Sequence, residues 1–305
     1  MLILGAIAAL SSAASTSDPP GIEEVRVTAP EPKYVAPTLR DRIGRIWAPV
    51  MIDGQGPLRL VLDTGASSAA LTFRAAECLS LDSDRSRTVT LRGTTGSAVA
   101  PTVKLRTLEV GDFLAERARV VLVEDAFGGA DGVLPARLLK DRRIHVEFRK
   151  DRIEITRSRN QPPPPGYLGI PVRFAPYSVP WVEASVGTVR VRAVIDTGAQ
   201  QTIGNLALRE ALEQARRRSP PSSSEEIIGV TGDIQMGQSA LAPTIQLGGV
   251  RVRNARINYV DLHIFDYWRM RDEPTLLVGM DVLGVVDTFI LDYRRRELQI
   301  KTVNN

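Results

Sequence analysis

The sequence predicts a mostly β protein made of two similar closed β-barrel lobes with short helices. Three observations carry that prediction. Only 5% of the 305 residues are aromatic while 24 are glycine and 20 proline, which favours short strands and turns over long packed helices. Short apolar runs recur at regular spacing with little helical periodicity between them. The second half of the chain also repeats the first, so any lobe formed by one half is formed again by the other.

The repeat is legible segment by segment. VLDTGASS at 61–68 returns as VIDTGAQQ at 194–201, an offset of 133, and PVMIDG at 49–54 aligns with VEASVG at 182–187 at the same offset. Further on, RGTTGS at 92–97 pairs with IGVTGD at 228–233 and LEVGD at 108–112 with IQLGG at 245–249, at offsets of 136 and 137. GVLPARLL at 132–139 then matches LLVGMDVL at 276–283, and IHVEFRKDRIEI at 144–155 matches FILDYRRRELQI at 289–300. Offsets that grow in one direction describe two copies separated by small loop insertions.

Taken in chain order, residues 2–10 (LILGAIAAL) are an apolar run too short to cross a bilayer. With SSAAS behind them they fit the core and cleavage zone of a signal peptide, although a basic start is missing. Residues 1–17 are therefore read as a signal peptide, which places the mature protein in the periplasm or outside the cell. Residues 18–40 form a flexible tail rich in Ser, Thr, Pro and acidic groups. An N-terminal lobe follows at 41–157, a stiff linker carrying QPPPPG at 158–167, and a C-terminal lobe at 168–305. Within the lobes, residues 59–62 and 192–195 are apolar strands that each end at an Asp-Thr-Gly turn. Hairpins start at 144–148 and 289–291. The clearest helix runs over 205–218 behind Asn205 as N-cap, with a shorter counterpart at 72–79 in which Cys78 is expected as buried filler.

Composition narrows the chemistry. A single cysteine leaves no internal disulfide framework and no cysteine zinc site. The two histidines, His145 and His263, stand 118 residues apart, and neither a GxSxG nor a phosphate-binding GxxxxGK[ST] occurs. The net charge of +4 comes from arginines spread along the chain, so nucleic acid is not expected as a partner. His145 reads as structural and Arg294-Arg295-Arg296 as a solvated turn. What remains is a carboxylate, Asp63 and again Asp196, delivered twice at the end of an apolar strand. Two buried carboxyls brought together cannot both ionise and share a proton, so one can act as base and the other as acid.

On these residues the sequence resembles the pepsin and retroviral-protease (retropepsin) superfamily of aspartic peptidases over about residues 45–302. Asp63-Thr64-Gly65-Ala66 and Asp196-Thr197-Gly198-Ala199 match its active-site motif in the retroviral form. Leu277-Val278-Gly279 matches its later apolar-apolar-Gly element well, and Val133-Leu134-Pro135 less well. The resemblance implies a bilobal acid-protease fold of two retropepsin-like lobes in one chain, hence a monomer with pseudo-dimeric lobes. It implies an aspartic-type endopeptidase acting on peptide or protein substrates, without metal or organic cofactor and without a stable membrane span. Asp63 and Asp196 would hold and activate water. The Thr64 and Thr197 hydroxyls would lock the pair across the lobe interface. Gly65 and Gly198 would permit the tight turn, with Ala66 and Ala199 beside them. Gly93, Thr94, Thr95 and Gly96 in one copy and Val230, Thr231 and Gly232 in the other fall where that family carries its flap.

Some positions depart from the pattern. Pro135 stands for Gly, Arg137 for the usual Asp or Asn, Gln200-Gln201 follow the second motif, and neither flap has a Tyr. An extension at 260–273 adds Phe265, Tyr267, Trp268 and Met270, as subsite or as packing. The alternatives are a catalytically silent peptide-binding module of the same fold, and an envelope interaction protein acting through its N-terminal tail.

Overall fold

A computed structural model describes residues 27–28, 45–81, 83–111, 113–125, 127–150, 152–216, 222–228 and 233–302. The expected leader, most of the expected tail and flap residues Val230, Thr231 and Gly232 lie outside the described residues. The chain is mostly β, and its two lobes are curled half-barrel sheets. Crossing the N-lobe sheet, the strands run Ser83–Arg92, Ser97–Lys104, Arg119–Val123, Ala70–Thr72, Gly132–Pro135, Gln55–Asp63, Trp47–Ile52, Thr107–Val110, Phe113–Glu116. The C-lobe repeats this order strand for strand: Ser222–Ile228, Ile234–Leu241, Arg256–Tyr259, Ile203–Gly204, Thr275–Val278, Val189–Ile195, Pro180–Val186, Ile245–Leu247, Val250–Arg253. Inside the expected tail, Val27–Thr28 adds a short parallel strand to Val250–Arg253. Among the described residues no helix is long and apolar enough to cross a membrane.

Strand register corrects the repeat by one residue. Trp47 pairs with Val61 and Trp181 with Val194, so the tryptophans are equivalent at an offset of 134. A β-bulge in the N-lobe hairpin adds one residue before the offset falls to 133 at the motif. Each tryptophan lies under an equivalent guanidinium, Arg59 over Trp47 at 4.7 Å and Arg192 over Trp181 at 5.4 Å. Both pairings are repeat signals that the 133 alignment hides.

A third sheet joins the lobes. Its strands are Arg152–Arg157, Arg142–Glu147, Thr288–Asp292, Glu297–Lys301 and Leu168–Pro171, so the terminal hairpin of each lobe pairs with that of the other. Fully buried Asp292 pins the linker to this sheet, accepting Ser158 Oγ at 2.7 Å and Arg295 N at 2.9 Å with the Arg143 guanidinium 3.6 Å away. His145 lies half-buried here, does not line the cleft that holds the aspartates, and burial holds its pKa down. Arg294 and Arg296 are exposed as expected of a turn, while Arg295 bonds Glu297 at 2.6 Å.

The helices follow their caps. Asn205 Oδ1 accepts Leu208 N at 2.9 Å to start Leu206–Arg216, and its amide donates to the carbonyls of Met270, Arg271 and Glu273. Thr72 caps Phe73–Cys78 by accepting Ala75 N at 3.1 Å. Cys78 is exposed, against expectation, because Ala75, Ala76 and Leu79 supply the face of that short helix turned to the core.

Candidate active site

Asp63 ends the strand Gln55–Asp63, and Asp196 immediately follows Val189–Ile195. Each strand lies parallel to a second buried strand: Leu134 pairs with Leu62 and Pro135 with Asp63, Val278 with Ile195. Apolar pairing on both sides thus carries each carboxyl to the floor of a cleft between the lobes. Each turn then fixes one oxygen. Asp63 Oδ1 accepts Gly65 N and Ala66 N, both at 2.8 Å; Asp196 Oδ1 accepts Gly198 N at 2.9 Å and Ala199 N at 3.2 Å. The carboxyls meet at the interface, each lying against the motif glycine of the other lobe.

The motif glycines are required for a different reason from the expected one. Neither has a positive φ. A Cβ on Gly65 would lie 2.5 Å from Asp196 Oδ2, and one on Gly198 would run into the carboxyl of Asp63. Each glycine makes room for the other lobe's carboxyl rather than easing its own turn.

The threonines form a reciprocal lock. Thr64 Oγ1 donates to Ile195 O at 2.5 Å and accepts Thr197 N at 3.0 Å. Thr197 Oγ1 donates to Leu62 O at 2.6 Å and accepts Thr64 N at 3.2 Å. Both side chains are buried, so four backbone groups of the interface depend on two hydroxyls.

Electrostatics separate the two carboxyls. Burial, and next the charge of Asp63, hold Asp196 well above the ordinary carboxylate range. Burial also raises Asp63, opposed by the Ala66 and Gly65 N–H groups, by the hydrogen bond with Asp196 and by the Arg45 guanidinium. Ala66 and Ala199 present methyls where a hydroxyl could have stabilised the charged form.

The departures from the motif have local explanations. In the C-lobe, Thr202 Oγ1 donates to Asp281 Oδ1 at 2.6 Å and accepts Gly279 N at 3.1 Å, clamping the motif loop onto the following helix. A Cβ on Gly279 would sit 2.6 Å from the Gln201 carbonyl. The N-lobe has buried Ala69 in place of Thr202, with Pro135 and Arg137 in place of Gly279 and Asp281, yet the hydrogen bonds within the Asp63 turn are unchanged. Gln201 Oε1 accepts the amide of buried Asn258 at 2.6 Å, a need absent from the N-lobe, where Val121 holds that position.

The cleft encloses about 880 Å³ and is lined by both aspartates, by Gly65, Ala66, Gly198 and Ala199, and by flap residues Gly93 and Thr94. Thr95 is buried with its carbonyl accepting Gln235 Nε2 at 3.1 Å, and Gly96 packs against Asp233. The N-lobe hairpin expected to be a flap also reaches the extension, with Arg92 4.8 Å over the Tyr267 ring and Ser97 Oγ 3.2 Å from His263 Nε2. The cleft walls are unequal. On the N-lobe side the cleft reaches Val61, Thr102, Val121 and Val133, but their C-lobe equivalents Val194, Ser239, Asn258 and Leu277 do not line it. Phe265, Trp268 and Met270 of the extension are buried there, against Val194, Ile203 and Leu277. Only Tyr267, Trp268 and Ile264 of that segment face the cleft. The extension therefore packs and shapes a subsite at once.

Compared with known families, the chain matches the profile described as aspartyl protease twice, over residues 48–171 and 182–282. Among curated proteins no match is found.

Proposed function

This chain belongs to the aspartyl protease family, and from that membership we propose that it is an endopeptidase whose water is activated between Asp63 and Asp196. One carboxylate takes a proton from water as the water oxygen bonds to the scissile carbonyl carbon. The other carboxyl, protonated, gives its proton to the carbonyl oxygen, forming a neutral diol. Collapse of the diol breaks the C–N bond, the amine leaves with the proton first taken from water, and the second carboxyl recovers its own. The observation that carries this reading is the pair of carboxyls, each seated against the other lobe's motif glycine, that together line one peptide-sized cleft. Digestion of a peptide library across pH 3–8 by wild type and Asp63→Asn tests it. Cleavage by wild type alone is expected; binding without cleavage would favour a silent peptide-binding module instead.

The pH optimum should be mildly acidic. The active pair carries one proton, both carboxyls lie above their ordinary range, and the residue directly after each Asp-Thr-Gly, Ala66 or Ala199, has no hydroxyl. The one-proton form thus persists to higher pH, and kcat/KM should describe a bell centred at roughly pH 4–6. Replacing Ala66 and Ala199 together by Ser should move the bell towards acid. An optimum near pH 2 in wild type, or a profile unmoved by the double change, would count against this account.

Substrate preference should be lopsided. The N-lobe hollow is open and has an apolar wall of Val61, Val121, Phe127 and Val133, so a large apolar side chain fits on that side of the scissile bond, while the filled C-lobe hollow accepts a smaller one. Trp268→Ala should open the second hollow and raise kcat/KM for bulky residues on that side by roughly tenfold or more relative to small ones. Cleavage profiling of the variant reads this directly, and an unchanged profile would mean that Trp268 only packs.

A further inference from the structure

The approximate two-fold relation of the lobes would make Asp63 and Asp196 interchangeable unless something near them differs. The strand register locates a difference. Trp47 pairs with Val61, and Leu62 N donates to Ile46 O at 2.8 Å, so the ladder continues until Arg45 stands opposite Asp63. Arg45 lines the cleft with it. In the C-lobe Trp181 pairs with Val194, and the same count puts Val179 opposite Asp196. Val179 is 1% exposed and packs in the apolar cluster of the extension. A guanidinium therefore flanks one carboxyl where an isopropyl group flanks the other. Solvent differs in the same sense: Asp196 is 6% exposed, whereas Asp63 is only partly buried.

We propose that Arg45 polarises the pair, holding Asp63 as the carboxylate that takes the proton from water and leaving Asp196 as the acid that protonates the scissile carbonyl. This rests on the peptidase reading above and assigns its two proton transfers to named residues. The other groups facing the pair do not reverse the bias. Each carboxyl receives two N–H bonds from its own turn, so those contributions are alike. Tyr293, buried in the turn that follows Thr288–Asp292, is held protonated by burial and by the charge of Asp63, and so brings no charge of its own. The charged neighbour that raises Asp196 is Asp63 itself. A positive charge near one member of a coupled pair favours ionisation of that member and lowers the first ionisation of the pair as a whole. Arg45 is thus a positioning residue for a proton rather than a catalytic residue.

Two measurements on the full chain test this. In the first, kcat/KM on one fixed peptide is followed against pH for wild type, Arg45→Met and Arg45→Lys. The acid limb of Arg45→Met should move up by about half to one pH unit, and Arg45→Lys should restore it. In the second, carboxyl 13C signals of labelled aspartate, assigned with Asp63→Asn and Asp196→Asn, are titrated without substrate. Asp63 should carry most of the first ionisation in wild type, and the two signals should converge in Arg45→Met. Hydrolysis that falls equally at every pH in Arg45→Met with unmoved limbs would overturn the proposal, as would first ionisation at Asp196. Because the titration needs no turnover, a polarised pair in a protein that cleaves nothing would support the assignment of the charge and count against the peptidase reading alone.

Discussion

Asp196→Asn is expected to lower hydrolysis on the order of 10³-fold or more and, in the same protein, to raise stability at neutral pH. The loss follows because asparagine can neither give nor take the shared proton. The gain follows from the sign of the shift. Burial and the charge of Asp63 hold Asp196 above its unfolded value, so the unfolded chain ionises first as pH rises. The folded protein therefore loses stability through the window between the unfolded and the raised folded pKa, and the penalty is complete above the latter. Asparagine carries no charge at any pH, and its Oδ1 can still accept Gly198 N and Ala199 N. The difference in Tm between variant and wild type should thus be small near pH 3 and grow towards pH 7. Asp63→Asn should lose hydrolysis equally and gain less, because N–H bonds and Arg45 oppose its shift. A variant less stable than wild type by the same margin at pH 3 and pH 7 would show that the pair is not under electrostatic strain.

Thr197→Val should cost about 2–5 kcal/mol of unfolding free energy. The shape is kept, but Leu62 O and Thr64 N, both at the buried interface, lose their partner. Each orphaned buried group costs about 1–3 kcal/mol. Thr197→Ser keeps the hydroxyl and should recover most of the loss. Thr64→Val should behave alike through Ile195 O and Thr197 N, and the double variant should cost less than the sum, since the contact between the two hydroxyls at 3.5 Å is already lost in either single change. Urea unfolding measures all four. A cost below about 0.5 kcal/mol for either single change would mean that the shared sheet alone holds the lobes together.

Much of this molecule is legible in its sequence. The repeated Asp-Thr-Gly is local: an apolar strand run, a carboxylate and a small residue after it are contiguous in the chain, and two copies at a near-constant offset imply two like lobes. The cap at Asn205 was equally local, since a capping side chain bonds a backbone N–H three residues on. Register was not local. A single bulged residue displaced the alignment of PVMIDG with VEASVG and hid both the equivalence of Trp47 with Trp181 and the position of Arg45.

What the sequence by itself determined is the architecture of each half and the identity of the carboxylates, because strand periodicity, turn residues and repetition act between near neighbours. Only the tertiary structure decided how the halves differ. It set the one-residue slip that leaves Arg45 beside Asp63, the filling of one hollow by Phe265 and Trp268, and the reason Gly65 and Gly198 carry no side chain. It also decided that the terminal hairpins join into one sheet with Asp292 at its centre. The glycine–carboxyl contacts and the joined hairpins link residues more than 100 positions apart, and the others link residues of one lobe through strand register and side-chain packing. Their energies come from packing and desolvation that exist only once the sheets and the interface between them have formed, so no spacing along the chain encodes them.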